Sequence, residues 1–215
     1  MLLIWAYIFD EDSAGVTEFS IRDGQLSDCH VLARLINESS KGAADYLFNQ
    51  KDNHGKNAEE MVSELLAREV HYSYANSIVV QFEGNVVGMA LSFPSSGLML
   101  SEQIKQHYSE RQFQYVKYFA ENTIADSWHL DAICIDAEYR GNGIGRDLLQ
   151  KVKQQASYYK YPELEVFVFA NNTGAIRFYQ RHGFAECKEI DVSGHEFLND
   201  KSPLLLMRCQ LPGYD

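Results

Sequence analysis

Residues 130–156 read L-D-A-I-C-I-D-A-E-Y-R-G-N-G-I-G-R-D-L-L-Q-K-V-K-Q-Q-A, and their pattern changes character twice. Leu130, Ala132, Ile133, Cys134 and Ile135 form a short, nearly continuous apolar run between His129 and Asp136, as expected of a central strand covered on both faces. From Ile144 the apolar residues recur at helical spacing. Ile144, Leu148, Leu149, Val152 and Ala156 make one stripe, with Arg146, Lys151 and Lys153 on the polar side. Between strand and helix lies R-G-N-G-I-G, Arg140 to Gly145. Glycines at 141, 143 and 145 let the chain turn sharply with positive φ, so that successive N–H groups converge at the positive end of the helix. A phosphate or pyrophosphate is the expected occupant.

Two better-known glycine motifs do not fit this turn. A dinucleotide fingerprint G-x-G-x-x-G counted from Gly141 places Arg146 at the third glycine, and no G-x-x-x-x-G-K-[ST] loop is present. A second stretch narrows the ligand. Residues 164–184 read L-E-V-F-V-F-A-N-N-T-G-A-I-R-F-Y-Q-R-H-G-F: a β-rich strand, an Asn-Asn-Thr helix start, a short helix and Gly183 as its C-terminal cap. Asn172 and Tyr179 are seven apart, hence two turns apart on one helix face.

The two segments together resemble the GNAT superfamily of acyl-coenzyme A-dependent N-acetyltransferases. Its pyrophosphate signature Gln/Arg-x-x-Gly-x-Gly/Ala is met by Arg140, Gly143 and Gly145. Its following helix, N-x-x-A-x-x-x-Y-x-x-x-G-F, is met by Asn172, Ala175, Tyr179, Gly183 and Phe184. The match is strong over residues 129 to 185, and residues 19 to 93 fit by pattern. The resemblance implies an α/β fold with a central mixed, mostly antiparallel sheet, splayed between two central parallel strands and flanked by helices. It implies acetyl-CoA (coenzyme A) as co-substrate, no metal, and direct transfer of the acetyl group to a primary amine in a ternary complex.

By the same resemblance, Arg140, Gly141, Asn142, Gly143, Ile144, Gly145 and Arg146 hold the pyrophosphate. Backbone groups of Ile133, Cys134 and Ile135 bond the pantetheine arm and polarise the thioester carbonyl. Asn172 touches the pantetheine, and Tyr179 gives a proton to the departing thiolate. For the base, His129 is favoured, with Asp131 as helper or substitute, because two titratable side chains at i and i+2 project from one face at the start of an apolar strand. A covalent role for Cys134 is disfavoured, since no histidine stands at a spacing that would activate the thiol.

Along the remaining chain, Phe19 to Arg22 reads as a first strand, and Asp28 opens a helix to about Ser39. Residues 40 to 55 read as irregular, and Ala58 to Tyr72 as a helix burying Met61, Leu65 and Leu66. Ile78 to Phe82 and Val86 to Phe93 pair as a hairpin across Glu83-Gly84-Asn85. Residues 94–128 read as a helical insertion before the central strand, with stretches near Ser101 to Tyr108 and Arg111 to Glu121. Either it packs aromatic side chains onto the body or it forms an acceptor-site lid. Residues 1–18 read as an N-terminal arm or extra strand and 19–215 as one domain. The apolar run Leu2 to Phe9 is too short to span a bilayer.

The 215 residues carry 19 basic and 30 acidic side chains, a net charge of −11. That balance argues against nucleic acid and anionic membrane as partners and favours a small cationic amine. Cys29, Cys134, Cys187 and Cys209 show no C-x-x-C or metal-ligand spacing, so the expected setting is reduced and cytoplasmic. A homodimer is compatible with the sequence. Three readings stay open: an N-acetyltransferase for a small amine or, as a variant, for a protein N-terminus or lysine; a non-catalytic acyl-CoA sensor; and a nucleotide-binding module of another family.

Overall fold

The computed structural model describes residues 19–40, 43–48, 56–98, 109–192 and 202–213. Its strands are β1 (Ser20–Asp23), β2 (Ser77–Phe82), β3 (Asn85–Pro94), β4 (Trp128–Ile135), β5 (Glu163–Phe169), β6 (Ala185–Ile190) and β7 (Leu204–Gln210). Its helices are α1 (Cys29–Ser39), α2 (Ala43–Phe48), α3 (Ala58–Arg68), α4 (Glu110–Glu121), α5 (Ile144–Tyr158) and α6 (Thr173–Arg181). The strands form one sheet in the order β1-β2-β3-β4-β5-β7-β6, antiparallel throughout except between β4 and β5. This is the mixed, mostly antiparallel α/β sheet that the sequence resemblance implies.

Helix α5 lies across one face of the sheet on its predicted stripe, for Ile144, Leu148, Leu149, Val152 and Ala156 are all buried. They pack with Val80, Ala90, Leu130, Leu164, Val166 and Met207. Each large side chain there contributes about 1.5–3 kcal/mol over leaving it in water. On the opposite face Leu32, Leu35, Val62 and Leu66 from α1 and α3 cover Val79, Met89, Leu91, Ala132 and Cys134. Farther along that sheet, Val116 and Phe119 of α4 pack on Phe167, Phe169, Leu204 and Leu206.

Strand β4 changes partners partway along. Against β3 the register slips so that Ser92 faces Leu130 and Leu91 faces Ala132, leaving Asp131 as an extra residue. This bulge reverses the alternation of side chains. Trp128 and Leu130 belong to the core under α5, whereas Ala132 and Cys134 belong to the core under α1 and α3. Against β5 the parallel pairing runs only through Trp128–Leu164, His129–Glu165 and Leu130–Val166. Beyond that point the two strands part.

Several expectations need correction. Residues 43–48 are helical rather than irregular, because Ala44 and Leu47 give a six-residue helix apolar surface to dock on. Helix α3 stops at Arg68 instead of Tyr72: Glu69 turns extended at ψ 159°, and Asn76 Nδ2 donates to both Val70 O and His71 O at 2.8 Å. Its buried line is Val62 and Leu66, with Met61 and Leu65 half-buried, a phase set by the reciprocal cap between Asn57 and Glu60. Asp28 does stand at the start of α1, but its carboxylate accepts from Arg22 at 2.6 and 3.0 Å and from Gln25 N at 2.8 Å instead of capping the helix. The hairpin turn is two residues, Glu83 and Gly84, with Asn85 already in β3. The apolar run 2–9 and the stretch 101–108 lie outside the described residues.

Candidate active site

A cleft of about 1410 Å³ opens where β4 and β5 part, with Ala132, Ile133, Cys134 and Ile135 on one wall and Val166, Phe167, Val168 and Phe169 on the other. Residues on the inner edges of the parted strands have no partner across the gap. Their backbone groups are therefore available to an extended ligand arm. The volume exceeds that of a typical single-ligand pocket, which suits a long coenzyme plus an acceptor.

One end of the cleft is the glycine turn. Gly141 and Gly143 take φ +85° and +81°, a region costly for any residue with a Cβ, whereas Gly145, expected to share it, lies in the first turn of α5 without a positive φ. No side chain caps α5 at Gly143, so the first-turn N–H groups have no acceptor within the helix. Arg140 Nε donates to Ile135 O at 2.8 Å, tying the guanidinium to the strand end. Arg140, Gly141, Gly143, Ile144, Gly145 and Arg146 line the cleft. Asn142 does not, and its Nδ2 instead donates to Tyr139 O at 3.0 Å. Arg181 and His182 at the end of α6 add positive or protonatable groups here.

At the start of α6, Asn172 accepts from Ala175 N at 3.2 Å, which leaves its Nδ2 and the oxygen's second lone pair to serve a ligand. Tyr179, two turns on, lines the cleft with its ring wedged against Phe178 and Phe184 at centroid distances of 5.4 and 5.3 Å. Burial pushes its phenol well above the ordinary value. It therefore stays protonated across the physiological range. Burial likewise pushes the Cys134 thiol up, which disfavours a thiolate nucleophile.

The far end of the cleft carries the titratable pair. His129 is 2% exposed, set between the rings of Phe93 and Phe167 at 5.8 and 5.4 Å. Its Nδ1 lies 3.1 Å from Glu165 Oε1, and its Nε2 lies 4.0 Å from Asp131 Oδ1. Burial pushes the Asp131 carboxyl up, with the adjacent His129 pulling partly back. Glu38, Glu69 and His71 also line the cleft. Glu38 stands toward the glycine turn, for Arg34 donates both to it at 2.8 Å and to Asp136, just beyond β4, at 2.8 and 3.1 Å. The cleft thus carries arginines at the glycine turn and the Asp131 carboxyl beside His129 at the start of β4.

Of the residues singled out from sequence, all but Asn142 meet at this one cleft. Sequence reading missed Glu38, Glu69, Glu165, Phe178 and Arg181. Glu165 carried a signal, a lone carboxylate inside the apolar strand L-E-V-F-V-F. Among the described residues no cluster of His, Cys, Asp or Glu is disposed to hold a metal ion, and no helix is long and apolar enough to cross a membrane.

A sheet split at its parallel pair, with a glycine-bent helix start at one end of the split, is the architecture of acyl-coenzyme A-dependent N-acetyltransferases. Residues 46–184 match the acetyltransferase (GNAT) family, and the chain belongs to that family. The spermine/spermidine N(1)-acetyltransferase of Bacillus subtilis (strain 168) is 31% identical over 133 residues, 61% of this chain and 72% of that protein. Among solved structures, an N-acetyltransferase from Staphylococcus aureus Mu50 superposes with a TM-score of 0.62 at 19% identity, covering 88% of this chain and 99% of the other. The PaiA N-acetyltransferase from Thermoplasma acidophilum, in complex with coenzyme A, gives 0.56 at 17% identity over 90% and 99%. At these identities the structural likeness speaks to the fold alone.

Proposed function

We propose that the protein transfers an acetyl group from acetyl-CoA directly to a small cationic amine, with residues 19–215 acting as one domain. The charge distribution of the cleft carries this reading. Arg140, Arg146, Arg181 and the open N–H groups of α5 line it with the glycine turn, Asp131 stands beside His129 at the start of β4, and Glu69 lines it as well. The Bacillus subtilis relative, whose name specifies spermine and spermidine, points to polyamines within that class.

In this mechanism the diphosphate sits on the main-chain amides at 143–146, and the pantetheine arm runs through the gap beside Ile133 to Ile135, with Asn172 Nδ2 at its flank. An alkylammonium of pKa about 10.4 has no lone pair. His129 Nε2 takes its proton, and Asp131, half in the cleft, stabilises the imidazolium that results. The freed amine attacks the thioester carbonyl, whose developing oxyanion is met by backbone N–H groups of the parted β4. Collapse breaks the C–S bond, and the Tyr179 phenol donates toward the departing thiolate. From the described part of the insertion 94–128, Gly97, Leu98 and, on α4, Val116 and Phe119 line the cleft.

Acetyl-CoA turnover with spermidine, an arylalkylamine, an aminoglycoside and a peptide bearing a free N-terminus and lysine tests the reading. A saturable small polycation, with peptides turned over far more slowly, is the expected result. Efficient acetylation of the peptide alone would overturn the acceptor assignment. Tight coenzyme binding without thiol release for any acceptor would instead favour a sensor.

A further inference from the structure

Glu165 is the most deeply buried carboxylate among the described residues, at 0% exposure, and it stands in the middle of β5 with apolar neighbours on both sides. A charge in such a place is costly unless fully hydrogen-bonded. Both oxygens are engaged. Oε2 accepts from the backbone N–H of Ile124 at 2.7 Å, and Oε1 lies 3.1 Å from His129 Nδ1. Ile124 is itself fixed: its carbonyl accepts from Ser95 Oγ and Ser127 Oγ, each at 2.9 Å.

We infer that Glu165 is a positioning residue for the acyl transfer, holding His129 as the tautomer that has its hydrogen on Nδ1 and its lone pair on Nε2, facing Asp131 and the acceptor end of the cleft. The inference rests on His129 being the base. A carboxylate only accepts, so the hydrogen between it and the imidazole belongs to Nδ1. The parallel register that places His129 opposite Glu165 is the last stretch before β4 and β5 part, so the pair forms the closed end of the gap. When Nε2 gains the substrate proton, the imidazolium lies between two carboxylates. The same carboxylate links Ile124, within the insertion 94–128, to the base.

Glu165→Gln makes a sharp test. Its amide oxygen must face the Ile124 N–H, since two donors cannot oppose each other. The NH2 group then faces His129 Nδ1 and drives the ring proton to Nε2. With [15N]histidine NMR, assigned by loss of signals in His129→Gln, the native enzyme should show a protonated Nδ1 and bare Nε2 near neutral pH. Glu165→Gln should show the reverse.

Its kcat should fall about a hundredfold or more, as far as in His129→Gln, with the double variant no slower and the KM for acetyl-CoA little changed. Native His129 carrying its hydrogen on Nε2, or remaining doubly protonated up to pH 9, would overturn the inference, and should His129→Gln not fold, the ring is assigned in the native enzyme by its nuclear Overhauser contacts to Phe93 and Phe167. A slow His129→Gln beside a Glu165→Gln of native rate would sink the inference while leaving the base assignment standing. A His129→Gln of native rate would instead remove the base itself.

Discussion

The left-handed turn at Gly143 allows stability and ligand binding to be separated in one substitution. Gly143 has φ +81°, and a Cβ there would lie 3.6 Å from Arg146 Nη2, an ordinary contact. The cost of Gly143→Ala is therefore backbone strain alone, about 1–2 kcal/mol. For a chain of this length each kcal/mol moves Tm by about 2–4 °C, so the variant should melt about 2–8 °C lower. Gly84 in the β2–β3 hairpin is a matched control, with φ +81° and no atom within 4 Å of an added Cβ. Gly84→Ala should lose a similar amount of stability.

The two variants should differ in coenzyme binding. If the backbone at 143 relaxes its strain, the amides of α5's first turn no longer point together, and each lost bond to a charged phosphate costs about 1.5–3 kcal/mol. The acetyl-CoA KM of Gly143→Ala should rise about ten- to a hundredfold, with the acceptor KM little altered, whereas Gly84→Ala keeps both. Differential scanning fluorimetry and initial-rate kinetics measure the two halves. An acetyl-CoA KM for Gly143→Ala within about threefold of that for Gly84→Ala, under about 0.7 kcal/mol, would refute the anion site.

Other outcomes follow from the same geometry. Tyr179→Phe should lower kcat by about a hundredfold or more while leaving the acetyl-CoA KM near its native value, seen in steady-state kinetics with saturating acceptor. Leu148→Ala, at a position with 0% exposure beneath the sheet, should cost about 2–5 kcal/mol in urea unfolding. The raised Asp131 pKa has a defined sign. The unfolded chain gives up that proton first, so stability falls as pH rises from the ordinary carboxylate range through the native value, and the penalty is full above it. Asp131→Asn should therefore raise Tm at pH 7.5 and show no gain at pH 3, by calorimetry.

How much of this was legible in the sequence depended on how local each signal was. The α5 stripe and the glycine turn were readable because a one-sided helix fixes its phase within a few residues, and Asn172 and Tyr179 share a helix that carries its own start and stop signals. Strand β4 gave no such phase. A strand apolar on both faces has no alternation to betray a slip, so the bulge at Asp131 left no mark, although it decides which side chains meet the cleft. Glu165 meets His129 only through a parallel register 36 residues along the chain. The short helix α2 escaped notice because packing against its neighbours holds it, more than its own propensity.

The gap between β4 and β5 as the seat of acyl transfer is tested most directly by a crystal structure with coenzyme A and a polyamine bound. The diphosphate oxygens should lie within about 3 Å of the main-chain nitrogens at 143–146, with the sulfur in the gap near Tyr179 and an amine nitrogen beside His129 Nε2. A coenzyme whose diphosphate sits away from that turn, or whose sulfur ends outside the parted strands, would contradict it.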